Sequence, residues 1–377
     1  MTISLKTLRD LQIYKQFAVS QLNSEMSIKE VLTNLGFIQL DSMSVVARSQ
    51  ELVCWARLKN YQLGDLSELY HQDQAVELYS FALTLHLKNN ELVPLFQGKA
   101  YEALMASSTV AESQTLLAEL AEVQPILKRA FIKNKQQGTW QQSPKDRLID
   151  KLWRAGLIEV QRDEKFNKRL HLGKGIRSEL SPQVLEYQMY QQLILMTFNN
   201  LGIITEGEAS HYFNLKKGLT KVILAEMLTA GDIQKISVEN YGEHYLLVSD
   251  QELVTNLAEF PTLSPKLLSP FDNLIRDRER TAKLFGIDFK LESYIKAENR
   301  RYGYFAMPIL IAGELIGTVD LKNERQLGQL IIKGFVFFKP ENRERYTAEI
   351  LGVLTELKDF LNLTELIYQE QIFTGFT

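Results

Sequence analysis

Ser143-Pro-Lys-Asp-Arg-Leu-Ile-Asp-Lys-Leu-Trp-Arg-Ala-Gly156 runs directly into Leu157-Ile-Glu-Val-Gln-Arg162 and, after a short polar stretch, Arg169-Leu-His-Leu172. Ser143 suits a helix cap, Pro144 suits the first helical position, where its missing N–H is no loss, and Gly156 can close the helix in a left-handed conformation. Leu148, Leu152 and Trp153 make one apolar stripe, which leaves Lys145, Arg147, Lys151 and Arg154 on more solvated faces. A basic helix followed by a hairpin is a winged helix. The hairpin tip, Asp163 to Arg169, carries Lys165, Lys168 and Arg169, placed to touch phosphates and so to fix position without reading sequence. Charge alone leaves two readings open, a DNA contact or a solvated helix face with a charged turn.

Similar units lie on both sides. Upstream, a helix over Leu5 to Leu22 precedes Ser27-Ile-Lys-Glu30, a capping box, and Gly36, which ends a second helix before Ile38 to Asp41 depart as a strand. That is the start of a winged helix without an obvious second wing strand. Downstream, helices over Val184 to Asn200, Thr205 to Phe213 and Gly218 to Gly231 lead to strands Ile233 to Val238 and His244 to Val248, with Thr205 and Glu208 as another capping box. Asp65 to Glu122 reads as an acidic helical spacer in which Tyr79, Phe81, Phe96 and His86 are core packing. After the connection Phe260-Pro-Thr-Leu-Ser-Pro265 the pattern turns to strands, Tyr302 to Ile311 and Glu314 to Leu321 about a tight turn at Ala312-Gly313, then Leu330 to Phe338, then a helix over Glu341 to Leu363. The expected fold is α+β, mainly α: three tandem winged helix-turn-helix units plus a small β-barrel. Its expected segments are 1–61, 62–125 (spacer), 126–182, 183–254, 255–340 (barrel) and 341–377 (terminal helix).

With 45% hydrophobic and 24% charged residues, 377 residues can bury two to four compact cores. No apolar run approaches a membrane span and the first ten residues lack a signal-peptide core, so a cytoplasmic protein is expected. Cys54 stands alone, and the five His have no metal-ligand spacing, so neither an intrachain disulfide nor a metal is expected. The net charge of −3 hides an asymmetry. From Gln62 to Pro125 two basic residues face nine acidic ones, net −7, whereas from Ile126 to Arg177 fourteen face five, net +9. Basic charge concentrated in one short unit is what a nucleic-acid footprint requires.

One further stretch is unusual: Leu35-Gly-Phe-Ile-Gln-Leu-Asp-Ser-Met-Ser-Val-Val-Ala-Arg48 sets two polar groups in apolar surroundings. In an extended segment Ile38 and Leu40 share one face while Gln39 and Asp41 share the other. The pair is either a reaction site or the solvent face of a half-buried strand.

These residues carry a resemblance that spans nearly the whole chain. With Trp55-Ala-Arg57 and Tyr61, with Trp140, Lys145, Leu152-Trp153 and Gly156-Leu157, and above all with Leu268-Ser-Pro-Phe-Asp-Asn-Leu-Ile-Arg-Asp-Arg-Glu-Arg-Thr281, Leu284-Phe-Gly286, Glu292, Tyr294, Arg301-Tyr-Gly-Tyr304, Pro308 and Val319-Asp-Leu-Lys322, the sequence resembles the winged-helix DNA glycosylases of AlkZ/YcaQ type. The resemblance implies tandem winged helices and a β-barrel around a basic channel for duplex DNA, and hydrolysis of the N-glycosidic bond of alkylated purines. It implies a catalytic Gln-x-Asp signature, here Gln39-Leu40-Asp41, of the branch acting on crosslinks through guanine N7. Asp41 would stabilise the developing oxocarbenium ion and steer water, and Gln39 would hold the same water. Ser42, Arg48, Lys145, Arg147, Lys165, Lys168, Arg169, Arg301 and Tyr302 are the expected DNA contacts. The expected partner is double-stranded DNA with alkylated or crosslinked purines, bound by a monomer that needs no cofactor and is nucleoid-associated. The chain departs from the pattern at Gln50 and Phe81, where relatives carry His, and at Thr318 and Arg276, where Arg and Trp are usual. A non-catalytic tandem winged-helix regulator and a scaffold without DNA affinity are the rival readings.

Overall fold

In a computed structural model the chain is described at residues 1–18, 26–79, 81–132, 142–163, 165–176, 178–257, 263–369. Trp140, the far end of the first expected helix and residues 260–262 of the expected connection lie outside them. Contacts divide the chain into two units, Met1–Leu63 with Met196–Thr377, and Gly64–Leu195. No helix among the described residues is long and apolar enough to cross a membrane.

In the Gly64–Leu195 unit the expected helix and hairpin are both present. Ser143 Oγ accepts the Asp146 N–H at 3.1 Å, the helix runs Pro144–Arg154, and Gly156 follows at φ 70°. Strands Ile158–Arg162 and Lys168–Leu172 pair antiparallel, and Ile126–Leu127 joins the second of them. Leu152, Ile158, Val160 and Leu170 pack there on Leu104, Leu116 and Leu120 from helices Leu92–Met105 and Val110–Val123. The stretch expected to be all helix also contains a hairpin, Ala75–Tyr79 with Leu83–Leu87. Its alternation was obscured because Glu77, the polar member, is buried too, at 2% exposure, where Arg162 Nη2 donates to its carboxylate at 2.8 Å. His86 is core, with Nε2 2.9 Å from the Thr84 hydroxyl. Tyr79 is not core: it is exposed, and the Arg154 guanidinium lies over its ring at 4.3 Å.

The other unit holds two sheets. Thr2–Ile3 pairs parallel with Ile233–Val238, which pairs antiparallel with Gly242–Leu247 and through it reaches Ile203–Ile204. The helices beside this sheet are Leu5–Ile13, the last turns of Pro182–Leu201, Glu206–His211 and Lys217–Ala230. The second sheet has the order Lys266–Leu267, Ala306–Ile311, Glu314–Glu324, Gln329–Phe337, Glu365–Tyr368. Ala312 and Gly313, both at positive φ, form the tight turn as expected. The expected barrel is instead an open half-barrel with two short edge strands. Met307, Ile309 and Ile311 pack beneath Ile350, Leu354 and Leu357 of helix Thr347–Phe360, while Ala306 and Leu310 face Ile275, Phe289 and Tyr302. Since both faces of the Ala306–Ile311 strand are covered this way, burial does not require closure. The terminal segment likewise departs from an all-helical reading, because Glu365–Tyr368 adds a strand parallel to Gln329–Ile332.

A buried carboxylate ties the two sheets' surroundings together. Glu208 accepts the Thr205 N–H at 2.8 Å, Arg280 Nη1 at 2.8 Å and the Tyr241 hydroxyl at 2.9 Å. Burial alone pushes this carboxyl up, but Arg280 and those hydrogen bonds outweigh it and hold its pKa below the ordinary value. A depressed carboxyl contributes stability that is present above the unfolded pKa, about 4.3, and is lost as pH falls toward the folded value. The melting temperature of the wild type is therefore expected to fall more steeply below that pH than that of Glu208→Gln; parallel profiles would refute the assignment.

Candidate active site

The polar pair is carried by the strand Ile38–Gln39, entered through Gly36 at φ 75° after the capped helix Ile28–Leu35. Ile38 and Leu40 are buried, and Gln39 and Asp41 are both half-buried. The alternation expected for extended chain thus holds, and it turns both polar side chains off the core. Asp41 lies just past the strand, where its Oδ1 accepts the Met43 N–H at 2.7 Å in an Asx turn that begins a loop to Arg48. Gly36 has no room for a side chain, since a β-carbon there would overlap Met196. Gly36→Ala is expected to destabilise by at least about 1–2 kcal/mol from backbone strain, measured by denaturant unfolding; an unchanged midpoint would contradict this.

The chain leading into the pair is held by two buried amides. Asn200 Nδ2 donates to Leu35 O at 2.9 Å, and Asn273 Nδ2 donates to Phe37 O at 3.1 Å. Beyond the pair, Asn323 donates from its backbone to Val45 O at 2.9 Å and from its side chain to Val46 O at 3.0 Å, and Arg325 reaches Ser44 O at 2.9 Å. The Ser49 and Ser269 hydroxyls meet at 2.9 Å. Fixing a short strand this way presets the positions of Gln39 and Asp41 before any substrate arrives.

Two of these partners, Ser269 and Asn273, come from one stretch, Leu268 to Thr281, whose role sequence reasoning missed. Asp272, at 0% exposure, receives Arg57 Nη1 at 2.8 Å and Nη2 at 2.9 Å, a bidentate pair. Arg57 also donates to Gln16 O, Gln16 Oε1 and Val53 O, so each of its five N–H groups has an acceptor. Arg276 donates to Tyr212 O at 2.7 Å and lies 5.1 to 5.7 Å from the rings of Tyr212, Phe37 and Phe213, a planar guanidinium packed among aromatic rings. The signal available in the sequence was polar residues recurring irregularly among Leu268, Leu274 and Ile275, a pattern that fits a buried network better than a surface.

Gln50, the other notable departure, has 0% exposure, and neither polar atom of its amide bonds to a described residue. An unsatisfied buried amide costs about 1–3 kcal/mol, so Gln50→Met is expected to raise the melting temperature; a fall would mean that the amide has a partner in solution. Thr318 is buried in the same way, whereas Phe81 is half-buried.

The expected DNA contacts are distributed unevenly. Ser42 and Arg301 are exposed, and Arg48 is half-buried at the cap of helix Ser49–Trp55. Tyr302 departs from expectation: at 3% exposure its hydroxyl donates to Asp288 O at 2.7 Å and its ring lies beneath Arg301 at 5.1 Å. In the other unit Arg147, Lys165 and Arg169 are exposed. Lys145 is paired with Glu119 at 2.8 Å, and burial lowers the pKa of Lys168. Part of the basic surplus is therefore spent inside the unit, since Lys128 also binds Asp146 and Asp150 at 2.7 Å each.

Half-barrel, helical units and a polar pair on a clamped strand define a helix-rich α+β protein. The chain belongs to the family described as DNA glycosylase AlkZ-like, whose profile matches residues 32–360. Among solved structures its fold is similar to that of Streptomyces sahachiroi DNA glycosylase AlkZ, with a TM-score of 0.64 over 99% of this chain and 100% of that one at 13% sequence identity.

Proposed function

We propose that the protein is a monofunctional DNA glycosylase for N7-alkylated guanine, including bulky adducts and interstrand crosslinks, with Gln39 and Asp41 as its catalytic residues. The observation that carries this reading is the clamped Gln39-Leu40-Asp41 segment, which presents an amide and a carboxylate together from an otherwise buried strand. An N7-alkylated purine is cationic and leaves as a neutral base, so it needs little help from a general acid. One carboxylate suffices, unlike the pair that glycosidases use to protonate a leaving oxygen. Asp41 stabilises positive charge growing on the sugar and orients or deprotonates the attacking water, while Gln39 holds that water. Water as nucleophile leaves an abasic site and an intact strand.

The same reading treats residues 1–61, 126–182 and 183–254 as three winged helices, 62–125 as a spacer, and 255–340 with 341–377 as the half-barrel and its cover, around a basic DNA channel. Ser42, Arg48, Lys145, Arg147, Lys165, Lys168, Arg169 and Arg301 are its contacts. A crosslinked base cannot be fully extruded, so an open channel suits this substrate better than the tight pocket of base-flipping enzymes. The protein acts as a cytoplasmic, nucleoid-associated monomer. Incubating it with duplexes containing N7-methylguanine or a nitrogen-mustard crosslink tests the proposal: free base and alkali-labile strands are expected. Release from neither substrate overturns it, and strand nicks without alkali would overturn the monofunctional assignment. Arg169→Gln should weaken binding without changing sequence preference and lower the slope of affinity against salt by about 1; an unchanged slope would remove Arg169 from the interface.

A further inference from the structure

Between helix Arg278–Phe285 and strand Ala306–Ile311 the chain makes a long excursion whose base is firmly built and whose tip is bare. At the base, Phe289 is 2% exposed with its ring 5.7 Å from that of Tyr302, and Glu292 accepts the backbone N–H groups of Tyr302 at 2.7 Å and Gly303 at 3.3 Å. Asp320 accepts those of Tyr304 and Phe305 at 3.0 Å each. The tip is tied to itself: Ile295 N–H donates to Glu292 O at 2.9 Å, and Arg300 Nε donates to Ile295 O at 2.8 Å across the short 3-10 turn Ala297–Asn299. Tyr294 is nevertheless 95% exposed and Ile295 beside it 39%.

A single exposed aromatic is ordinary on a protein surface. This one differs in two respects. First, it stands on a preorganised loop that carries Lys296, Arg300 and Arg301 against one acid at the tip, Glu298, so the aromatic point lies beside a net positive charge. Second, the loop and the candidate site hang on one strand, Glu314–Glu324: Asp320 holds the loop's base, and Asn323 holds Val45 and Val46 of the segment after Asp41. Those two anchors are three residues apart, about 10 Å along a strand. An aromatic and aliphatic tip with flanking positive charge fits a duplex whose base step is opened by a wedge while phosphates are gripped on either side.

We propose that Tyr294, seated by Ile295, stacks into the base step next to the lesion and that Lys296, Arg300 and Arg301 bind the flanking phosphates; this rests on the DNA glycosylase reading above. Tyr294 is a positioning residue: it distorts the duplex so that the sugar of the alkylated base meets Asp41. The test is a duplex with 2-aminopurine beside N7-methylguanine, titrated with protein that is wild type, Tyr294→Ala or Tyr294→Phe at that position, each also carrying Asp41→Asn so that no base is released during the titration. Wild type is expected to raise the fluorescence by unstacking the probe. Tyr294→Ala should lose that rise and bind about 5- to 100-fold more weakly, with an unchanged melting temperature because the ring touches no core. Tyr294→Phe, which keeps the ring, should behave as wild type. If wild type binds the duplex and Tyr294→Ala gives the same fluorescence and affinity, the wedge is refuted while the glycosylase reading stands. If wild type does not bind at all, that reading fails first. Equal losses in Tyr294→Phe and Tyr294→Ala would refute stacking in favour of the hydroxyl, and a change of oligomeric state in Tyr294→Ala would show a protein contact instead.

Discussion

Asp41→Asn is expected to bind alkylated duplex DNA as the wild type does and to release base about 100- to 10,000-fold more slowly in single turnovers. The substitution keeps size and the Asx turn, since an amide oxygen also accepts the Met43 N–H that Asp41 Oδ1 takes at 2.7 Å. On the proposed mechanism it removes the negative charge that would stabilise the growing oxocarbenium ion and the base that would order water. Gln39→Ala should be milder, because water retains one partner. Two measurements check this: chromatographic release of N7-methylguanine, and binding of the uncleaved duplex. An Asp41→Asn enzyme that excises at the wild-type rate would move the chemistry elsewhere, and one that fails to bind would make Asp41 a structural residue.

Asp272→Asn should produce the largest loss of stability, about 3–5 kcal/mol. The Arg57–Asp272 pair has side-chain exposures of 1% and 0%, so no water can replace the carboxylate. Removing its charge strands a guanidinium in a low-dielectric interior, among Phe17, whose ring it covers at 4.2 Å, and the backbone carbonyls of Gln16 and Val53. Folded domains hold only about 5–15 kcal/mol in all, so the variant should unfold at much lower denaturant concentration. The double variant Arg57→Met, Asp272→Asn should recover part of the loss, since an uncharged pair leaves no buried ion without its partner. A midpoint within about 0.5 kcal/mol of wild type for Asp272→Asn would show that the pair is worth little. Activity should follow stability here, because Asp272 and Asn273 are neighbours and Asn273 holds Phe37 O in front of Gln39.

Much of this arrangement could be read from residue order. Local chemistry wrote the capping boxes at Ser27 and Thr205, the proline start and glycine stop around Pro144–Arg154, and the Ala312-Gly313 turn, because each depends on groups a few residues apart. The Gln39 and Asp41 alternation was legible for the same reason. The hairpin Ala75–Tyr79 was not, since burial of Glu77 depends on Arg162, 85 residues away. Nor was the position of Tyr302: a tyrosine among arginines reads as surface, and only packing on Phe289 turns it inward.

By itself, then, the sequence determined the helices, their caps, the concentration of basic residues and the identity of the polar pair, all set by short-range rules of backbone and side chain. Tertiary structure alone decided that the Leu268–Thr281 stretch is a buried clamp, that Lys128, Lys145 and Arg162 spend their charge within their own unit, and that Tyr294 stands bare on a rigid loop. Those outcomes turn on which distant groups meet and which are left to water, a property of the packed chain that no local pattern encodes.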